Sequence, residues 1–203
     1  MRRKKIPDFG AEKWKTALAG HEPVWRLHES LRLEIKKRWK RSVPFADELF
    51  DRREKAKFLG FGKGASIYDS SLVLGNVQVG KETWIGPFTV LDGRGGLKIG
   101  SFCSISTGVH LYSHDTVQWA LTGGRAKERR APTKIGDCCY LGAMTIVNRG
   151  VTIGDHCVIG ANSFVKKNIP PFSIAAGNPA RILGRVKMIK NKAQFIYERN
   201  KRK

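Results

Sequence analysis

From Ile67 onward the chain places a branched aliphatic residue every sixth position and a small side chain four positions after each one. Ile67–Ser71, Val73–Val77, Val79–Thr83 and Ile85–Thr89 follow one another without a break. The period stops at Gly93-Arg94-Gly95-Gly96 and resumes with Ile99–Cys103 and Ile105–Val109. It stops again and returns at Ile135–Cys139, Leu141–Thr145, Val147–Val151, Ile153–Cys157 and Ile159–Ser163. Glycine follows the aliphatic at 80, 86, 100, 136, 142, 154 and 160. Six residues is too long a period for an amphipathic helix and carries an extra beat relative to an alternating strand. It suits short strands joined by tight turns, three hexads to a triangular coil, with each aliphatic pointing inward. The inward residues then stack on their counterparts about 4.8 Å away in the next coil. The small residue lies where the prism narrows, and the glycine relieves crowding at the turn. Cys103, Cys139 and Cys157 all take the small position, so they read as packing residues rather than nucleophiles or metal ligands.

A different pattern flanks the repeat. Leu27, Leu31, Ile35 and Trp39 recur every fourth residue among basic side chains and predict a helix over 24–41. Pro44 ends it, and Phe45, Leu49 and Phe50 suggest a second helix running to Phe58. A C-terminal helix is expected over 183–197. The expected organisation is a basic helical extension (1–60), the repeat domain (61–182) with a long loop at 112–134, and a basic C-terminal helix and tail (183–203). The N-terminal layer reads as a cap on the open first coil, as solenoids require. Its rival reading is a basic amphipathic surface held against anionic lipid.

Charge sharpens this picture. The 203 residues carry a formal charge of +21. Residues 1–60 hold 17 Lys/Arg against 9 Asp/Glu, and residues 181–203 hold 9 against 1. Such a surface favours polyanions: nucleic acid, anionic membrane or phosphorylated ligands. No run approaches the roughly 18 apolar residues of a spanning helix, and the basic start leads into no apolar segment, so a cytoplasmic protein is expected.

The repeat resembles that of the hexapeptide-repeat acyltransferases. Ile-Gly-Asp-Cys-Cys-Tyr-Leu-Gly-Ala (135–143), Val-Ile-Gly-Ala-Asn-Ser (158–163), Ile-Pro-Pro (169–171) and Ala-Gly-Asn-Pro-Ala-Arg (176–181) are similar to that family's last coils and closing segment, with the sugar O-acetyltransferase branch nearest. The resemblance implies a mainly β fold, a left-handed parallel β-helix, assembled as a homotrimer with acetyl-CoA as acyl donor and no metal. It implies that His114, in Tyr-Ser-His-Asp just before the long loop, is the general base. An imidazole suits that task at neutral pH. Asp115 is adjacent, although neighbouring side chains commonly point apart. For the donor, the resemblance carries over Gly142, Ala143 and Ala161 to the pantetheine arm, and Lys167 and Arg181 to its phosphates. Lys166 stands where the family usually has Thr, and Arg185 lies one place beyond the next expected arginine, which falls on Gly184. For the acceptor, Asp92 approximates a sugar-binding carboxylate. Trp119 either stacks on a sugar face or anchors the loop, and Arg125, Lys127, Arg129 and Arg130 either attract an acidic acceptor or face solvent.

The implied activity is acetyl transfer from acetyl-CoA to a sugar hydroxyl in surface-glycan biosynthesis, by direct attack without an acyl-enzyme. Two alternatives stand beside it: an amino-sugar N-acetyltransferase with the same donor site, and an inactive polyanion-binding scaffold. The zinc-dependent carbonic anhydrases share the prism but need three interfacial histidines. His110 and His114 lack a third partner in 135–143. His21, His28 and His156 read as structural.

Overall fold

The structure, a computed structural model, describes residues 22–197. The chain divides into two compact units, Met1–Leu49 and Phe50–Lys203. In the first, helix α1 (Glu22–Trp39) is followed by a short α2 (Phe45–Leu49). His28 Nδ1 contacts buried Glu48 at 2.6 Å, and its ring packs edge-on against Phe45. No residue of α1 is buried, and Val24, Trp25, Leu27, Leu33 and Trp39 are exposed.

The second unit opens with α3 (Arg52–Phe58), whose first turn is capped by the Asp51 carboxylate, accepting from the Arg53 and Glu54 N–H groups. That cap starts a new helix where the sequence suggested one continuous helix from 45 to 58. Ala56 and Phe61 are buried in the same core cluster as the coils and close its first end. The Lys55 ammonium donates to the carbonyls of Tyr68, Asp69 and Ser71, covering backbone that no earlier coil can pair.

The coils form a left-handed parallel β-helix of about six turns. On the first face, Ile67, Ile85, Ile105, Leu141, Ile159 and Ala175 stack in register, and on the second, Val73, Leu91, Leu111, Val147 and Val165. On the third face the stack is Val79, Ile99, Ile135 and Ile153. The register locates both interruptions: Gly75 pairs with Gly93 but Val77 with Leu97, so two extra residues enter at Arg94–Gly96. Ile99 pairs with Ile135, which leaves room for the long loop as an outward excursion.

The small position is more specific than smallness requires. Ser71, Thr83, Cys103, Cys139, Thr145 and Cys157 each donate O–H or S–H to a carbonyl of the adjoining coil: Gly86, Gly100, Gly136, Gly154, Gly160 and Pro170 respectively. The repeat therefore wants a small buried donor at the corner. The neighbouring Cys103 and Cys157 thiols, and burial after them, push the Cys139 thiol far up. Burial and Asp137 raise that of Cys138, which leaves neither a ready thiolate.

The glycines act differently from the sequence expectation. The left-handed turn position is taken by side-chain-bearing residues, including Glu82, Phe102, Cys138, Met144 and His156, with φ between 54° and 60°. Gly136 is required by proximity: a Cβ there would lie 2.7 Å from the Asp155 backbone nitrogen.

The expected C-terminal helix over 183–197 is not formed. Arg181–Ile189 and Lys192–Tyr197 are antiparallel strands joined by a turn at Lys190, and the first pairs with Ser173–Ala176 of the last coil. The coil's open edge offers a ladder of unpaired backbone groups, and Gly184 and Val186 alternate inward with the two-residue period of a strand.

Candidate active site

His114 stands where the second face turns into the long loop. His114–Asp115 pairs antiparallel with Arg129–Arg130, so the loop leaves the prism on a two-stranded neck. The neck is tied down by the Ala131 N–H on the Ser113 carbonyl and the Thr133 hydroxyl on the Tyr112 carbonyl. Between these strands the loop carries a short helix α4 (Val117–Leu121).

His114 Nδ1 lies against Asp92 Oδ2 in a very short hydrogen bond, with the two side chains 13% and 1% exposed. Arg94 Nη1 approaches His114 Nε2 at 3.2 Å. A carboxylate only accepts and a guanidinium only donates, so the two partners fix the tautomer: Nδ1 donates and Nε2 carries the lone pair. Asp92 Oδ1 accepts the Arg94 N–H, its backbone carbonyl accepts from Ser113 Oγ, and that hydroxyl accepts the Gly95 N–H. This web holds the two-residue bulge of Arg94–Gly96 beside the imidazole. Both carboxylate oxygens of Asp92, the residue expected to meet the acceptor sugar, have partners inside the protein in this structure.

Asp115 points away from the ring. Its carboxylate is paired with Arg129 and Arg149 and accepts the Val117 N–H. These contacts, Arg149 foremost, hold its pKa down to about 2. Arg130 is paired with Glu128. Two of the four loop cations thus hold the loop to itself and its root. Arg94 has no carboxylate within 4.0 Å among the described residues and was not among the residues expected at the site. Its signal was its place two residues after Asp92, inside the glycine-rich interruption.

Gly142, Ala143 and Ala161 come together at the corner between the first and second faces, where a Cβ on Gly142 would lie 2.5 Å from Ala161 N and the Asn162 N–H reaches the Ala143 carbonyl. His114 follows the strand His110–Leu111, whereas Gly142 and Ala143 precede Ile146–Val147, which pairs with it. The two groups therefore occupy opposite edges of one face. Lys166 and Lys167 are exposed on the His114 edge, following Phe164–Val165, which pairs with Ile146–Val147. Arg181 and Arg185 are exposed on the C-terminal hairpin. Trp119 is 53% exposed on α4, its ring near Gly124.

The remaining histidines are occupied: His110 contacts the Tyr112 hydroxyl at 3.1 Å, His156 stacks on Phe172, and His28 meets Glu48. His21 lies outside the described residues. Among those residues no cluster of His, Cys, Asp and Glu is arranged to hold a metal, and no helix is long and apolar enough to cross a membrane.

Residues 132–167 match the bacterial transferase hexapeptide (six repeats) family. The chain is 39% identical over 102 residues to the mitochondrial serine acetyltransferase 3 of Arabidopsis thaliana, covering 49% of this chain and 25% of that protein. It is 47% identical over 52 residues to the galactoside O-acetyltransferase of Escherichia coli, 26% of each chain. Among solved structures, a hexapeptide-repeat acetyltransferase of Vibrio cholerae superposes with a TM-score of 0.61 at 25% identity, covering 81% of this chain and 91% of that one. AntD, an N-acyltransferase of Bacillus cereus solved with dTDP and coenzyme A, gives a TM-score of 0.56 at 25% identity over 62% of this chain and 72% of that one. The chain spans about a quarter to a third of the length of the first curated relatives it matches.

Proposed function

We propose that the protein transfers an acetyl group from acetyl-CoA to a sugar hydroxyl, with His114 as general base. The observation that carries this reading is the buried Asp92–His114 pair, which leaves the basic Nε2 on the far side of the ring, beside the exposed Arg94. Nε2 accepts the proton of the acceptor hydroxyl as its oxygen attacks the thioester carbonyl, and a backbone N–H stabilises the oxyanion. The imidazolium, steadied by Asp92, then returns the proton to the leaving thiolate. Gly142, Ala143 and Ala161 keep a corner low enough for the pantetheine arm, while Lys166, Lys167, Arg181 and Arg185 are exposed cations suited to its phosphates. AntD, with coenzyme A bound on the same fold, supports that donor.

Donor corner and base stand on opposite edges of one face, so a site using both is completed by a neighbouring copy, in keeping with a homotrimer. The outward rows agree with this. Trp84 and Tyr140 on the first face, and Leu72 and Ile146 on the second, are exposed and apolar, whereas the third face shows Gln78, Lys98, Lys134 and Thr152.

The serine acetyltransferase relatives favour a second reading, in which the hydroxyl belongs to an amino acid. Both readings are tested by thiol release from acetyl-CoA with hydroxy sugars, amino sugars and L-serine, using His114→Ala as control. Turnover of a hydroxy sugar that His114→Ala lowers by about 100-fold or more supports the proposal. Turnover of serine or of an amino sugar alone replaces the acceptor, and turnover that survives His114→Ala removes the base.

A further inference from the structure

Arg94 occupies the position that the acceptor hydroxyl must take. Its guanidinium stands 3.2 Å from His114 Nε2, the atom that has to receive the acceptor's proton. It cannot leave the site entirely, because its own N–H is held by Asp92 and the following Gly95 N–H by Ser113. The nearby cations are spent: Arg129 and Arg149 on Asp115, and Arg130 on Glu128. Asp92 is spent on His114. Arg94 is left at the base on a long exposed side chain, with no carboxylate within 4.0 Å among the described residues and with Glu128, already paired with Arg130, acting on it from further off.

We infer that Arg94 selects an anionic acceptor, a compound with a carboxylate or phosphate close to the hydroxyl that is acetylated. In the free protein Arg94 covers Nε2 and keeps water from it. The acceptor's anionic group draws the guanidinium into an ion pair, and the hydroxyl takes the vacated hydrogen bond. The exchange gives a bidentate ion pair in place of a single contact from the guanidinium to an uncharged ring nitrogen, so it favours acceptors that bring the charge. The inference rests on His114 being the base of the proposed acyl transfer.

The experiment uses the full chain with acetyl-CoA and matched acceptors: galactose against galacturonate, glucose against glucose 6-phosphate, and L-serine against ethanolamine. Wild-type protein is expected to prefer one anionic member by at least about tenfold in kcat/KM. The member preferred tells a carboxylate from a phosphate and a sugar from an amino acid. Arg94→Gln should abolish the preference chiefly through KM, and Arg94→Lys should restore part of it. Equal use of neutral and anionic partners, or a preference that survives Arg94→Gln, would overturn the inference while leaving acyl transfer standing.

A second arm needs no acceptor. With Nε2 uncovered in Arg94→Ala, water attacks the thioester, its proton passes through His114 to the leaving sulfur, and acetate and coenzyme A are released. Hydrolysis should rise several-fold over wild type and fall back in the Arg94→Ala, His114→Ala double variant. Unchanged hydrolysis in Arg94→Ala counts against the inference even if every acceptor is inert. Failure of the wild-type protein to bind acetyl-CoA would instead remove the underlying function.

Discussion

Asp92→Asn isolates the role of the buried carboxylate, because it changes one atom's chemistry and leaves shape nearly intact. Asp92 is 1% exposed, with Oδ2 on His114 Nδ1 and Oδ1 on the Arg94 N–H. An asparagine keeps an oxygen for the Arg94 N–H and turns its NH2 toward Nδ1. That donor pairs best with an imidazole bearing its hydrogen on Nε2, the tautomer that cannot accept the acceptor's proton. The substitution also removes the negative charge that steadies the imidazolium. A positioned general base contributes about 10²–10⁴-fold, or about 2.7–5.4 kcal/mol at 1.36 kcal/mol per decade. Because both effects fall on one ring, kcat should drop toward the upper end of that range while KM for the donor changes little. The assay is steady-state thiol release over a range of acetyl-CoA, beside a thermal melt to show that the fold survives. A folded Asp92→Asn within tenfold of wild-type kcat would refute the tautomer argument.

Three other outcomes follow from the geometry. Gly136→Ala would place a Cβ 2.7 Å from the Asp155 backbone nitrogen, where neither coil can give. It should cost about 1–3 kcal/mol, which a melt reads as a fall of about 2–12 °C in Tm. Asp115 contributes stability above its unfolded pKa near 4 that disappears as pH falls toward its folded value of about 2. Denaturant titrations should therefore find Asp115→Asn less stable than wild type at pH 7 and the gap closing below pH 4. Helix α1 exposes Trp25, Leu27 and Trp39 beside Arg32, Lys36, Lys37 and Arg38. Full-length protein should sediment with vesicles containing phosphatidylglycerol and lose that binding in high salt; deletion of residues 1–49 with no effect would assign these residues another role.

The hexad read as a prism because its inward positions repeat in residue type, and every aliphatic from Ile67 to Ile159 lies on the stack that the period places it on. What the period could not carry was chemistry that smallness conceals. Ser71, Thr83 and Cys139 look interchangeable with alanine in a pattern of sizes, yet each supplies a donor to a carbonyl of the next coil. Nor did the period announce that Phe102, Met144 and His156 would take left-handed turns, where the coil's closure overrides local preference. The C-terminal strands were hidden for another reason: Arg181–Ile189 pairs with its near neighbours Ser173–Ala176 and Lys192–Tyr197 as consecutive hairpins, and only Gly184 and Val186 carry the inward alternation that marks a strand. The motif around His114 offered only Asp115 as a partner for its ring, whereas the ring's contact is with Asp92. Asp92 was legible as a residue of interest but not in its direction, since only the bulge at Arg94–Gly96 turns it inward.

Binding of acetyl-CoA is the most direct test of the acyl-transfer account. The measurement is the thermal unfolding midpoint of the full chain with and without acetyl-CoA, repeated with ATP to separate donor recognition from general affinity for polyanions. At about 100 times its dissociation constant a specific ligand stabilises by about 2.7 kcal/mol, a shift of several degrees. The account predicts that rise with acetyl-CoA and a clearly smaller one with ATP. No shift at millimolar acetyl-CoA, or equal shifts with both, would contradict it and leave a basic β-helix that binds anions without acting on them.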